Sequence, residues 1–354
     1  MTYKTVNVGA VAVGGAFPVS VQSMCSVPFS RYSELVLQAK ELEEAGCEIL
    51  RVSVPDPKSA EMFAALKKEL KIPLVADIHF DYRLALKAID SGADKIRINP
   101  GNIGKDNIKT VVKKAKEHHI PIRVGVNSGS LEKALLEKYG SPTPEALAES
   151  AKNNVELLEN LDFGDIIVSI KSSDVKKTVQ AYRIFDGMNN ERYPLHIGVT
   201  EAGTFASGLI KNSAGIGALL LDGIGSTIRY SLSAPPVEEV IAAKTLLRSL
   251  GLRNEGVEII ACPTCGRTTI DVSGLAGELE KSLSGIKTHM KVAVMGCVVN
   301  GPGEAAEADI GVTGAAGKYI VFAKKDGKLS VVLKDADKQT ATEYIIKSAE
   351  SFGR

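Results

Sequence analysis

Three cysteines carry the spacing in this chain that most invites chemistry: Cys262-Pro263-Thr264-Cys265 and, further on, Cys297. Each set follows a β-branched run, at 257–261 and 291–295, so two strand-end loops can bring three thiolates together. Three chemistries fit. A thioredoxin-like redox pair needs only the first two cysteines and leaves Cys297 without a task. Structural zinc normally takes four Cys or His ligands, and the nearest histidine, His289, stands poorly placed at the start of a strand. An iron–sulfur cubane on three cysteines needs one unusual fourth ligand. The loop from Gly296 to Glu304 reads Gly-Cys-Val-Val-Asn-Gly-Pro-Gly-Glu. Its glycines let backbone approach a bulky inorganic core, and Glu304 can turn back towards it. A carboxylate is a hard, exchangeable iron ligand that marks where a substrate oxygen could bind, which favours the cluster over zinc. Of the other two cysteines, Cys47 reads as a small buried residue, and Cys25 ends the first strand of the preceding region.

A second set of residues is basic. Several β-branched runs end in polar pairs two residues apart: Arg51 with Ser53, Asp77 with His79, Arg97 with Asn99, Arg229 with Ser231. Residues i and i+2 of a strand share a face. Arg123 with Asn127, Lys171, and Thr200 with Glu201 complete the set. Four arginines and a lysine converging at strand ends suit an anion with several oxygens, because the guanidinium fork pairs phosphate bidentately. A plain salt-bridged layer, with Asp77 and Glu201 neutralising the arginines, would leave positive charge spread over five strands unexplained. Taken singly, His79 and Glu201 are weak signals, since a histidine after a buried strand is usually a satisfied structural residue.

The elements that must position these residues alternate. Strand-like runs lie at 19–24, 49–54, 74–79, 95–99, 122–127, 166–171, 195–200 and 227–232, with helical patterns between them such as 33–45, 58–70, 106–118, 143–160 and 174–185. Eight strand–helix units predict an α/β fold, a parallel (β/α)8 TIM barrel over residues 1–252, with an extra hairpin at 5–13 closing its bottom. A doubly wound open sheet would need a dinucleotide fingerprint after its first strand, whereas Gly14 and Gly15 precede it. A polar link at 253–256 ends the repeat. Residues 257–354 then read as a smaller α+β domain: strands 257–261 and 291–295, helix 273–283, a hairpin of 318–323 and 329–333 around Asp326-Gly327, and helix 338–351.

The 354 residues are 44% hydrophobic and 24% charged, enough to bury sizeable cores. Lys plus Arg (43) balances Asp plus Glu (42), so no global field favours nucleic acid or an anionic membrane. No apolar run approaches a membrane span, and polar Thr2, Tyr3 and Lys4 follow Met1, so a cytoplasmic protein without a secretory signal is expected. Five cysteines in this spacing fit a reducing compartment.

Together these motifs resemble one family, the 4-hydroxy-3-methylbut-2-enyl diphosphate synthases in their bacterial two-domain form. The resemblance covers nearly the whole chain. Its marks are Val21-Gln22-Ser23-Met24, Ala76-Asp77-Ile78-His79-Phe80, Arg97-Ile98-Asn99-Pro100-Gly101-Asn102, Arg123 through Leu131, His196 through Gly203, Cys262 through Arg267, and Met295 through Glu304. It implies reductive ring opening and dehydration of 2-C-methyl-D-erythritol 2,4-cyclodiphosphate, in the non-mevalonate isoprenoid route. It also implies a 4Fe–4S cluster on Cys262, Cys265, Cys297 and Glu304, with electrons from a flavodoxin or ferredoxin. The matching diphosphate residues are Arg51, Arg97, Arg123, Lys171 and Arg229. Gln22, Asp77, His79, Asn99, Asn127, Thr200, Ser231 and Asn300 are assigned to the substrate with them, and Glu201 and Glu304 to catalysis. A homodimer is implied, with the cluster domain of one subunit covering the barrel of the other.

The sequence departs from the family pattern twice. Cys25 to Arg31 replaces a Thr-Asn-Thr-acidic stretch, and Ser226 stands where aspartate is common. The first and eighth strands adjoin in a closed barrel, so Arg31 and Ser226 are expected to re-set one local polar contact.

Overall fold

The computed structural model describes residues 2–190, 192–299, 303, 307–325 and 327–352, and only the backbone of Gly101, Asn102 and Lys105. Two compact units divide the chain, Met1–Leu252 and Arg253–Arg354.

The first unit opens with an antiparallel hairpin of β1 (Val6–Val8) and β2 (Val11–Val13). Eight parallel strands follow: β3 (Ser20–Met24), β4 (Ile49–Ser53), β5 (Leu74–Asp77), β6 (Lys95–Ile98), β7 (Ile122–Asn127), β8 (Ile166–Lys171), β9 (His196–Ile197) and β10 (Thr227–Ile228). Their hydrogen-bonded order is β8-β7-β6-β5-β4-β3-β10-β9, and a parallel bridge from Val168 to Leu195 joins the two ends. The result is a closed (β/α)8 barrel, as the eight repeats predicted. Helices form where the sequence supplies their caps. Asp56, Asp81, Thr143 and Asp174 each accept a backbone N–H from the first turn of the helix that follows. The hairpin seats Val6, Val8 and Val13 against Ile49, Val75 and Ile167, close to the starts of β4, β5 and β8, and so plugs the N-terminal end with apolar side chains.

Several strands stop earlier than their composition suggested. The ladder ends at Asp77, Ile98, Ile197 and Ile228, which leaves His79, Asn99, Thr200 and Ser231 in the loops beyond. Loop partners take over there. Thr200 N–H donates to the Ser172 carbonyl at 3.3 Å, and the Ser231 carbonyl accepts from Asn212 Nδ2 at 3.2 Å.

The second unit holds a mixed sheet of β11 (Val257–Ala261), β12 (Met290–Met295), β13 (Ile310–Ala315), β14 (Lys318–Lys325) and β15 (Lys328–Ala336). The first three run parallel and the last two continue antiparallel. Helices Val272–Leu283 and Lys338–Ser351 bury Leu275, Leu279, Leu283 and Ile345 against Val292, Val294, Val312 and Val321. Each such fully buried aliphatic side chain stabilises the fold by about 1.5–3 kcal/mol. The opposite face of the sheet buries a smaller set, Ala293, Met295 and Phe322. β13 is an addition to the expected strands, because Gly311 and Gly314 interrupt its β-branched pattern.

Candidate functional site

Side chains two residues apart on each barrel strand build two rings in the interior. Met24, Asp77, Arg97, Lys171 and Arg229 lie towards the C-terminal mouth. Two residues deeper on β3, β6, β8 and β10 come Gln22, Lys95, Ser169 and Thr227, with His196 on β9 and Arg123 on β7. Most barrel interiors fill these positions with Val, Ile and Leu. Here they are charged and nearly inaccessible: Arg123 is 2% exposed and Lys95 0%.

The polar contacts are specific but incomplete. Arg97 Nη1 lies 3.2 Å from Asp77 Oδ1 and 3.2 Å from His79 Nε2. Asn127, with its amide oxygen turned to Arg97, accepts from Nη2 at 3.0 Å. Arg51 donates to Met24 Sδ through Nη2 at 2.8 Å and stands 3.9 Å from Asp77. Arg123 Nη1 donates to Ser169 Oγ at 2.7 Å. Arg229 Nε faces Glu239 Oε2 at 3.4 Å, an ion pair without hydrogen-bond alignment. Two glycines make room for the bases. A Cβ on Gly125 would stand 2.5 Å from Arg97 Nε, and one on Gly198 would stand 2.3 Å from the Arg229 carbonyl and 3.0 Å from Lys171 Nζ.

Charge does not balance in this interior. Among the described residues, Arg51, Lys95, Arg97, Arg123, Lys171 and Arg229 face two buried carboxylates, Asp77 and Glu239. Arg97 Nε and both Nε and Nη2 of Arg123 find no hydrogen-bond partner among the described residues. Burial, then the neighbouring cations, pushes Lys171, Lys95 and Arg123 far below their ordinary protonation range, and burial lowers Arg51 to about 10. Asp77 moves the other way. Burial alone would raise it, but Arg51, Arg97 and Arg123 outweigh that and keep it ionised. A guanidinium edge that is buried, cationic and unpartnered is built to receive an oxyanion.

The structure brings Gln22, Arg51, Asp77, Arg97, Asn127, Arg123, Lys171 and Arg229 to this interior. His79 reaches it through Arg97 but is itself exposed. Glu201 is also exposed, in a left-handed backbone conformation at φ 51°, so it does not join the buried layer. The second buried carboxylate is instead Glu239, at the first turn of helix Pro236–Ser249. It accepts from Ser23 Oγ at 3.1 Å and from Leu232 N–H at 3.0 Å. No spacing rule would have found Glu239, whereas Lys95 follows from stepping two residues back from Arg97. A cavity of about 500 Å³ opens by the ends of β3 and β4, lined in part by Met24, Cys25, Ser53, Arg229 and Glu239.

The two departures from the family pattern do not meet. Arg31 pairs with Glu34, in the first turn of the helix Tyr32–Glu44 that follows it, at 2.9 Å. Ser226 is buried just before β10, where its carbonyl accepts from Ser20 N–H at 3.1 Å. Ser20 begins β3 and Arg31 follows its end, so adjacent strands place the two residues at opposite ends of the barrel. The expected shared contact is therefore corrected.

In the second unit all three cysteines are free thiols, as are Cys25 and Cys47. Cys262 follows β11 and Cys297 lies just past β12, at the same end of two parallel neighbours. Gly296 N–H donates to Cys262 Sγ at 3.2 Å, the kind of bond that supports a thiolate ligand. Cys265 N–H is held by Thr268 Oγ1 at 3.0 Å. Among the described residues no three His, Cys, Asp or Glu side chains stand close enough together to hold a metal ion. Asn300 and Glu304 lie outside the described residues. The soft donor set and its N–H···S bond fit an iron–sulfur group.

Both units match known domains. The model of the GcpE TIM-barrel domain matches residues 3–244, and that of the GcpE protein C-terminal domain matches residues 258–351. The chain belongs to the GcpE family. Among curated GcpE-like relatives, the 4-hydroxy-3-methylbut-2-en-1-yl diphosphate synthase (flavodoxin) of Caldanaerobacter subterraneus subsp. tengcongensis is 56% identical, over 99% of this chain and 97% of its own length. The protein of the same name from Clostridium perfringens is 52% identical, over 99% of this chain and 98% of its own. A dihydropteroate synthase from Stenotrophomonas maltophilia superposes with a TM-score of 0.52 at 10% identity, over 70% of this chain and 98% of that one, a likeness of fold alone. Among the described residues no helix of this GcpE-family chain is long and apolar enough to cross a membrane.

Proposed function

We propose that this GcpE-family chain is an oxidoreductase that opens 2-C-methyl-D-erythritol 2,4-cyclodiphosphate to (E)-4-hydroxy-3-methylbut-2-enyl diphosphate. The observation that carries the reading is the excess of buried, part-unpartnered cations in the barrel, in a chain whose relatives bear the name of that synthase. The balance is one cyclic diphosphate dianion, two electrons and one proton in, one linear diphosphate trianion and one water out. The bond between the tertiary carbon and its phosphate oxygen breaks, and the neighbouring hydroxyl leaves as water.

Arg51, Arg97, Arg123, Lys171 and Arg229 bind the diphosphate and spread the charge that grows on its oxygens as the ring opens. Asp77 orients Arg97 and Arg51, and Glu239 orients Arg229. Gln22, His79, Asn99, Asn127, Thr200, Ser231 and Asn300 belong to the same substrate reading. Glu201, exposed beyond β9, is the proton donor to the departing hydroxyl. Cys262, Cys265, Cys297 and Glu304 would hold a 4Fe–4S cluster, which supplies low-potential single electrons and a Lewis-acidic iron. Residues 1–252 then serve as the substrate domain and 257–354 as the cluster domain of a cytoplasmic homodimer. The relatives' names support flavodoxin as the electron donor, with ferredoxin as the alternative.

The test is anaerobic turnover of the cyclodiphosphate with reduced flavodoxin, alongside iron and sulfide analysis. Linear diphosphate made by a brown, iron-loaded protein is expected. A colourless protein with stoichiometric zinc and no product would favour the rival reading, a zinc-stapled barrel that binds phosphate without redox chemistry.

A further inference from the structure

Beneath the arginines lie two titratable residues, Lys95 and His196, that the proposed chemistry does not use. Lys95, the first residue of β6, is fully buried, and its Nζ donates to Gln22 Oε1 at 3.1 Å. β3 and β6 are separated by β4 and β5 in the barrel order, so this bond crosses the interior. His196, the first residue of β9, is equally buried. Its ring nitrogens have no hydrogen-bond partner among the described residues, and Thr227 Oγ1, Ser20 Oγ and Gln22 Nε2 share that condition. Register sets Thr227 beside both His196 and Ser20, so these orphans line neighbouring strands. The backbone of His196 is fixed, because Tyr182 from helix Val175–Met188 donates its hydroxyl to the His196 carbonyl at 2.5 Å.

Strands β4 to β8 each present charge to this floor, and on all but β5 it is positive. Arg51 comes from β4, Arg97 from β6, Arg123 from β7 and Lys171 from β8, with Arg229 beyond β10. Asp77 of β5 is already engaged by Arg97 and Arg51, and Glu239 by Arg229. Among the described residues the one hydrogen-bond partner of Lys95 is Gln22, which is neutral. A buried ammonium without a counterion, ringed by guanidinium groups, sheds its proton. A diphosphate among the arginines reverses that balance. At about 6 Å and an effective dielectric near 20, each negative charge shifts a proton equilibrium on the order of a hundredfold.

We propose that Lys95 and His196 form a proton-accepting floor: they are uncharged until a diphosphate settles among the arginines, and its binding draws protons onto them from solvent. The inference rests on the reading of the barrel as a diphosphate site. It makes anion binding and proton uptake one linked event, so affinity falls as pH rises. Burial followed by Arg123 and other cations holds His196 well below its ordinary range, and burial, Arg123 and Arg51 do the same to Lys95, which agrees with this assignment.

The test is calorimetric titration of the cyclodiphosphate into the oxidised, cluster-loaded protein, without reductant, at one pH in two phosphate-free buffers of different ionisation enthalpy. Both phosphoryl groups of the cyclodiphosphate are fully ionised near neutrality, so the ligand takes up no proton itself. Uptake of on the order of one proton per bound ligand is expected, and repeating the titration one pH unit higher should raise the Kd towards tenfold. Lys95→Met should remove at least half of the uptake. Binding with no proton uptake in the unaltered protein overturns the floor and leaves the diphosphate reading standing. Failure to bind at millimolar ligand overturns that reading, and the floor with it.

Discussion

The two units of this chain bury opposite kinds of side chain. In the barrel, Arg51, Lys95, Arg97, Arg123 and Lys171 lie below one-tenth exposure, mixed with His196 and Asp77. In the C-terminal unit, the buried polar side chains among the described residues are two threonines, Thr313 of β13 and Thr342 of the last helix. The sheet has an ordinary apolar core with its chemistry on strand-end loops. Burying an uncompensated cation destabilises a fold, and burying valine stabilises it. A chain that does the first in one unit and the second in the other shows where binding energy must come from outside. Under the proposed diphosphate reading an anion would compensate the barrel's basic residues, whereas the cysteines of the second unit follow strand ends over an apolar core.

Five substitutions or conditions would break or sharpen that contrast. Cys262→Ser should leave the sheet folded but lower turnover by about a thousandfold or more, because a soft ligand is lost. Wild-type turnover would remove Cys262 from the site. Leu275→Ala, in the sheet's helix-covered core, should lower the free energy of unfolding by about 2–5 kcal/mol in a denaturant titration while kcat at low temperature is unchanged. Arg123→Met should do the reverse. Cyclodiphosphate affinity should fall about a hundredfold, and unfolding should require the same denaturant concentration or more, since an apolar isostere replaces a buried charge.

The next effect depends on pH. Lys95, Lys171 and His196 are held below their ordinary ranges in the folded protein, so the unfolded chain binds more protons than the native one. The stability of the unliganded protein should therefore rise with pH, by roughly 1.4 kcal/mol per pH unit for each proton involved, up to about pH 10 for the lysines. Saturating diphosphate should flatten that slope. A flat profile without ligand would mean that these cations are compensated. The smallest change is expected of Glu239→Gln, which frees Arg229 and should weaken diphosphate binding about fivefold while leaving the cluster's visible spectrum unaltered.

Much of this could be read from residue order. Eight β-branched runs predicted the closed barrel. The i, i+2 pairs at their ends located Arg51, Asp77, Arg97 and Arg229, because a strand's alternation survives whatever packs outside it. Loop geometry could not be read that way. Thr200, Ser231 and His79 lie beyond strands that end early, and Glu201 faces solvent in a left-handed turn. Glu239 acts from a helix whose angle to β10 is set by tertiary packing, so no local pattern announces it. Ser226 and Arg31 were expected to meet because their strands adjoin, but adjacency across a barrel says nothing about height along it. β13 escaped notice because its two glycines dilute a strand signal that comes from its neighbours β12 and β14.

The central claim is that the barrel's buried positive charge exists to hold a diphosphate. It is tested most directly by thermal unfolding of the oxidised protein with and without the cyclodiphosphate, in the absence of reductant. Ligand at a hundred times its Kd should stabilise the native state by about 2.7 kcal/mol and raise the unfolding temperature by several degrees, and at the same ligand concentration Arg123→Met should cut that to about 0.4 kcal/mol. An unfolding temperature unmoved by millimolar cyclodiphosphate would contradict the account.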